Sequence, residues 1–133
     1  MRPYAFKRPG SLKPKTTRET PEAHLQSAVV KFLNLALPSD IFWWPSFAGG
    51  RRSMRAQADA KAMGMRRGEP DLKFVLPDDR TVWIELKSDV GVLTVEQKAF
   101  GRAHPKVFAV CRTVNDVAAA LTGWGVTLRA MPW

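Results

Sequence analysis

The sequence predicts an α/β domain in which a mixed β-sheet lies between helices. Apolar residues recur at helical spacing from Leu25 to Leu33, behind a clear helix-start signal. Two short apolar runs, Leu72 to Leu76 and Thr81 to Lys87, flank a turn and read as an antiparallel hairpin. A helix, a short apolar strand and a second helix then follow in turn.

Taken in order, residues 1 to about 19 form a basic, proline-bearing arm with Arg2, Lys7, Arg8, Lys13, Lys15 and Arg18. It is either a solvated tail or an arm placed on phosphate or on a second subunit. Residues 20–133 form the folded domain. Thr20-Pro21-Glu22 combines an N-cap residue, a proline at the first helical position and an acid in the first turn. Leu25, Ala28, Val29, Phe32 and Leu33 supply the apolar face of that helix, which must end before Pro38. Ile41 to Phe47 is aromatic and extended, and Gly49-Gly50 closes it. Arg51 to Met63 reads as a basic helix stopped by Gly64, followed by a basic loop to Gly68. Pro77-Asp78-Asp79-Arg80 is the hairpin turn. Thr94 and Gln97 form a capping box for a helix to His104. Val107 to Cys111 reads as a short buried strand, Asn115 to Leu121 as a helix and Val126 to Arg129 as a final edge strand.

Twenty-one Lys and Arg against 12 Asp and Glu leave a net charge of +9, with a pI near 10.3. Such a balance points to a polyanionic partner, with nucleic acid foremost. The single cysteine, Cys111, excludes an internal disulfide and a cysteine-based zinc cluster. No apolar stretch is long enough to span a membrane, and the basic N-terminus lacks the apolar segment of a secretory signal. The expected location is the cytosol, or the nucleus where the host has one.

The chemistry concentrates in the hairpin. Strand alternation puts Val82, Ile84 and Leu86 on one face, and Trp83, Glu85 and Lys87 on the other. A carboxylate and an ammonium thus stand two residues apart. Asp71 lies at the mouth of the preceding strand, after Gly68-Glu69-Pro70, where a hairpin can fold it beside Glu85. Two carboxylates so placed repel and raise each other's pKa, a conflict that a divalent cation resolves. Oxygen donors suit Mg²⁺ or Mn²⁺. Lys87 could orient an attacking water or stabilise charge on a phosphoryl centre. Acid-x-Lys on a strand also arises as a plain same-face ion pair, and Pro-Asp as a plain turn.

Gly68-Glu69-Pro70-Asp71 followed by Ile84-Glu85-Leu86-Lys87 resembles the motif of the PD-(D/E)xK nucleases. The details are similar to the VRR-NUC branch of that superfamily. They include Glu22 and Gln26 one turn apart on an early helix, Gly-x-Pro-Asp, Glu-x-Lys, and Gly91 ahead of Leu93-Thr94-Val95-Glu96-Gln97. Each element is weak alone, but together they occur in order across about residues 20 to 122. The resemblance implies a restriction-endonuclease-like core and hydrolysis of phosphodiester bonds in DNA with Mg²⁺ or Mn²⁺. It implies Asp71, Glu85 and the Leu86 backbone carbonyl as metal ligands and Lys87 as the catalytic lysine. Gln97 would stand near that lysine, and Glu22 would reach the metal directly or through water. Small stand-alone members of the branch are often phage-encoded homodimers that act on branched DNA such as four-way (Holliday) junctions. A phage-encoded chain would work in the host cytoplasm.

Each residue also has a plainer role. Glu22 suits a helix N-terminus electrostatically, Gln26 could be an ordinary helix-surface residue, and Gln97 serves the capping box. Arg51, Arg52, Arg55, Lys61, Arg66 and Arg67 lead into the acidic motif and read as phosphate contacts, or else as a solvated face. His24 could line the cleft, whereas His104 before Pro105 reads as surface. Trp43 and Trp44 read as core or interface residues, with stacking on bases as the alternative. Trp124 and Trp133 read as packing or interface anchors. Nothing resembles a helix-turn-helix or a zinc finger, which favours recognition of DNA shape over sequence. The competing classes are a non-catalytic DNA-binding module on the same fold, a nuclease for single-stranded or linear DNA, and a basic accessory protein with an accidental motif.

Overall fold

A computed structural model describes residues 20–46, 58–59, 61–64 and 68–133. The expected arm over residues 1–19, Gly49-Gly50 and the basic residues Arg51, Arg52, Arg55, Arg66 and Arg67 lie outside the described residues. Of the expected helix over Arg51 to Met63, Ala58, Asp59, Lys61 and Ala62 are described as helical. It gives way to a turn at Gly64, whose φ of 91° is in the left-handed region.

Helix α1 spans Pro21–Ala36. The Thr20 hydroxyl accepts from the Ala23 N–H at 3.2 Å, which satisfies one donor of the open first turn. Val29, Phe32, Leu33 and Ala36 form its buried stripe, and the helix stops where Leu37 turns extended ahead of Pro38. Strands β1 (Phe42–Pro45), β2 (Leu72–Val75) and β3 (Thr81–Leu86) follow. Helix α2 (Val95–Ala103), strand β4 (Phe108–Cys111) and helix α3 (Val114–Gly123) complete the order.

The sheet order is β1-β2-β3-β4. The first two pairings are antiparallel and the third is parallel, so the sheet is mixed as expected. The β2–β3 turn closes at Asp79, with φ 69°, and the Leu76 N–H donates to the Arg80 carbonyl at 2.9 Å. A parallel pair cannot be joined by a tight turn. Helix α2 makes the β3-to-β4 crossover and covers that half of one sheet face, with Phe100 packed edge-on against Trp83 and Phe108.

The opposite face is the core. Leu72, Phe74, Val82 and Ile84 are fully buried against Val29, Phe32 and Leu33 of α1 and Val117 and Leu121 of α3. Each such side chain contributes about 1.5–3 kcal/mol through removal from water. Trp43 points to this side and stacks on Phe74, with centroids 6.3 Å apart. Trp44, its neighbour, faces the other way. Trp124 packs on the core, and its indole N–H donates to the Lys106 carbonyl at 2.9 Å. Trp133 is exposed, with its ring 6.4 Å from Phe32.

Two expectations fail. Residues 126–129 do not form an edge strand. Gly125 ends α3 in the left-handed region, with Gly125 N–H bonded to Thr122 and Val126 N–H to Leu121, and this reverses the chain. The Arg129 N–H then bonds to the Ala36 carbonyl at the end of α1, so the segment spends its donors on helix ends instead of a ladder. The strand at residues 107–111 is itself the sheet edge beyond β3, and of β4 only Cys111 is fully buried. Burial pushes the Cys111 thiol up to about 12, so it is a packed, unreactive group.

Gly101 fixes how low α2 sits. A Cβ there would lie 2.9 Å from two ring atoms of Phe108, a ring held in place by Phe100. Gly101→Ala gains up to about 1 kcal/mol of helix propensity, but overpacking costs typically about 1–3 kcal/mol. The variant is therefore expected to be less stable by roughly 1 kcal/mol in urea unfolding; a gain in stability would show that the helix can lift freely.

Candidate active site

The β2–β3 register pairs Leu72 with Ile84. Continued by two residues, it puts Asp71 opposite Glu85 and Pro70 opposite Leu86. A ladder would require residue 70 to donate to the Leu86 carbonyl, and proline has no N–H. The ladder therefore stops. The Leu86 N–H turns to the Asp71 side chain, donating to Oδ2 at 2.7 Å. The Leu86 carbonyl, on the same side of the strand, is left without a ladder donor. The Asp71 N–H in turn donates to Glu85 Oε2 at 3.2 Å.

These two bonds lock the carboxyl groups together at the end of the hairpin. Glu85 is 2% exposed and Lys87 8% exposed, the two buried charged residues among those described. Lys87 Nζ lies 3.4 Å from Glu85 Oε1. Gln97 closes the expected capping box and also reaches Glu85. Its Oε1 accepts from the Thr94 N–H at 2.9 Å to complete the capping box, and its Nε2 donates to Glu85 Oε1 at 2.6 Å. The first turn of α2 and the Glu85 carboxyl are thus joined by one side chain.

Burial pushes the Glu85 carboxyl up to about 8; the Asp71 charge adds to the rise and Lys87 opposes it. Burial raises the Asp71 carboxyl too, against the Leu86 N–H, the bond to Glu85 and the Lys87 charge. The hydrogen bond between the two carboxyls favours the charged form of Asp71 and the protonated form of Glu85. Burial and mutual repulsion thus favour a proton on the pair, because two bare carboxylates this close disfavour each other's charge.

Glu22 stands at the rim. Its charge raises Asp71, yet its carboxylate is on the Gly91 side of the site. A Cβ on Gly91 would lie 3.0 Å from Glu22 Oε1, 3.2 Å from Ser88 Oγ and 3.3 Å from Lys87 Cδ. Glycine here leaves room for Glu22 to approach the lysine stem. Arg112, which sequence reasoning missed, straps this loop by donating from Nη1 to the carbonyls of Ser88 at 2.5 Å and Gly91 at 2.8 Å. Its only sequence signal was a position just past a strand end. Gly68, in the Gly-x-Pro-Asp element, has φ 87°, and a Cβ there would lie 2.5 Å from Glu96 Cβ. Only glycine lets this loop press against α2 ahead of Asp71.

Gln26 is half-buried one turn along α1, and His24 and Lys61 are exposed. His104 caps α2 with its ring 5.1 Å from that of Phe100.

Among the described residues, no three His, Cys, Asp or Glu side chains form a group that could hold a metal ion. The donor set at hand is two carboxylates that repel and one carbonyl released by Pro70. That set suits a hard divalent cation that completes its shell with water and substrate oxygens. Among the described residues no helix is long and apolar enough to cross a membrane. Comparison of the chain with protein-family models, curated proteins and solved structures gives no match.

The shared proton has a consequence for stability. Folded Glu85 holds its proton up to about pH 8, whereas the unfolded side chain releases it near 4.5. In that window the folded state binds more protons, so its stability falls as pH rises. In EDTA, the melting temperature of the wild type is expected to decline across this window, and that of Glu85→Gln to decline less. Parallel profiles would show that the pair carries no shared proton.

Proposed function

We propose that this protein is a Mg²⁺- or Mn²⁺-dependent DNA endonuclease on a restriction-endonuclease-like core, related to the VRR-NUC nucleases and selective for branched DNA such as four-way junctions. The observation that carries the proposal is the partly buried contact of Asp71 with Glu85, with Lys87 Nζ 3.4 Å from Glu85 and a Leu86 carbonyl lacking a ladder donor beside it. Acids whose protonation is perturbed by burial and by each other cluster at functional sites.

Asp71, Glu85 and the Leu86 carbonyl would hold the cation, with Glu22 reaching it through water. When bound, it supplies Lewis acidity at a phosphoryl oxygen and a lowered pKa for an attacking water. Lys87 presents its ammonium at the edge of the carboxylate pair, where negative charge develops on the phosphate. Gln97 fixes the Glu85 rotamer, so the ligand is in place before substrate arrives. The +9 net charge favours a phosphate backbone as partner. Arg51, Arg52, Arg55, Lys61, Arg66 and Arg67 are proposed as its contacts. A homodimer would let two such sites cut two strands of a symmetric junction.

The decisive assay incubates labelled four-way junction, splayed-arm and linear duplex DNA with Mg²⁺, Mn²⁺ or EDTA. Metal-dependent cleavage of the junction is expected, with Asp71→Ala and Lys87→Ala each slowing it by about 100-fold or more while DNA binding persists. Cleavage that survives either substitution would remove the site assignment. Binding without cleavage of any substrate would replace the enzyme with a DNA-binding module.

A further inference from the structure

Cross-strand partners share a sheet face. Trp44 pairs with Lys73, and Lys73 with Trp83, so all three lie on the face that carries Glu85. Phe42 pairs with Val75, and Val75 with Thr81, on the same face one row further from the site. Helix α2 covers the β3–β4 half of this face through Phe100. On the β1–β2 half, Phe42 is 62% exposed and Trp44 50% exposed. Lys73 is exposed, with its Nζ 5.9 Å from the centre of the Trp44 ring. Trp44 is two residues along β1 from Ser46, whose N–H bonds to the Asp71 carbonyl at 2.6 Å. Two residue rises put the indole row about 7 Å from the carboxylate row.

We infer that Phe42, Trp44 and Lys73 form a platform for unpaired bases of a DNA strand whose phosphate lies at the Asp71–Glu85 row; the inference takes DNA as substrate from the nuclease reading. Exposed aromatic rings offer stacking surface to any base, and stacking requires that the base be out of its duplex. The Lys73 ammonium, 5.9 Å from the indole centre, supplies a positive charge beside the ring for the phosphate of a stacked nucleotide. A second copy of the chain fits the patch less well. An aromatic side chain offers about 150–250 Å², so two half-exposed rings present roughly 250 Å², against about 800 Å² per partner in a stable interface. Self-association through this face would also bring two Lys73 ammonium groups together. The platform gives a physical basis for branched over linear DNA, because junctions and flaps supply unpaired bases and a closed duplex does not.

The test measures fluorescence anisotropy of a labelled single-stranded oligothymidylate and of a duplex of equal length, in EDTA, with the wild type, Trp44→Ala, Trp44→Phe and Lys73→Ala. Trp44→Ala is expected to weaken single-strand binding by about tenfold, the order of one lost stacked base, and to leave duplex binding unchanged. Trp44→Phe should restore most of the loss, and Lys73→Ala should lower the salt dependence by about one phosphate contact. Unchanged single-strand binding by Trp44→Ala overturns the platform, as does an equal loss on duplex. A wild-type dimer that becomes monomeric in Trp44→Ala on sedimentation overturns it in favour of a second copy. The junction-cleavage assay runs beside these measurements. Cleavage lost in Lys87→Ala but indifferent to Trp44 removes the platform alone. Trp44-dependent binding without any cleavage by the wild type removes the nuclease reading alone.

Discussion

Two carboxyl groups held together in a partly buried site constitute a standing electrostatic cost, and much of the local architecture is arranged around it. Glu85 takes the backbone N–H of Asp71, and Asp71 takes that of Leu86, the residue after Glu85, so each carboxyl is tied to the other's strand. Lys87 and Gln97 then approach Glu85 from the strand and from the helix. Removing water raises both acids, while the hydrogen bonds and the ammonium lower Asp71. The balance leaves a polar pair whose charge Lys87 offsets.

The supporting parts are backbone features more than side-chain packing. Pro70 ends the ladder and deprives the Leu86 carbonyl of its cross-strand donor. Gly68 lets the preceding loop press on α2, and Gly91 lets Glu22 approach the Lys87 stem. Arg112 reaches from beyond β4 to hold the loop between Ser88 and Gly91. Below them, the fully buried face of the sheet on α1 and α3 supplies the rigidity. The division is clear in the register: even-numbered residues of β3 build the core and odd-numbered ones face the chemistry.

The elements whose signals are local were legible in the sequence. The caps of α1 and α2, the hairpin turn and the alternation of β3 depend on neighbours a few residues away, and each lies where its residues place it. The proximity of Asp71 to Glu85 was legible for the same reason, since a short turn joins their strands. What depends on distant partners was not. The segment at 126–129 has the composition of a strand, but the reversal at Gly125 directs its donors to α1. Adjacent tryptophans with identical sequence signals have opposite fates, Trp43 on the core side and Trp44 on the open side, because pairing with β2 decides the face. Arg112 contacts carbonyls more than 20 residues away, and no local pattern announces that.

Helix α2 has nine residues and none of them is fully buried. A helix so short draws little stability from its own hydrogen bonds and belongs to the part of a fold that opens locally before the rest. Yet the same Gln97 side chain that closes its first turn also holds Glu85. Fraying of that turn therefore removes one of the three contacts that hold the carboxylate. The exchange of a few amide protons near Thr94 thus reports on the Gln97 bond to Glu85, and a ligand on that carboxylate would be felt there.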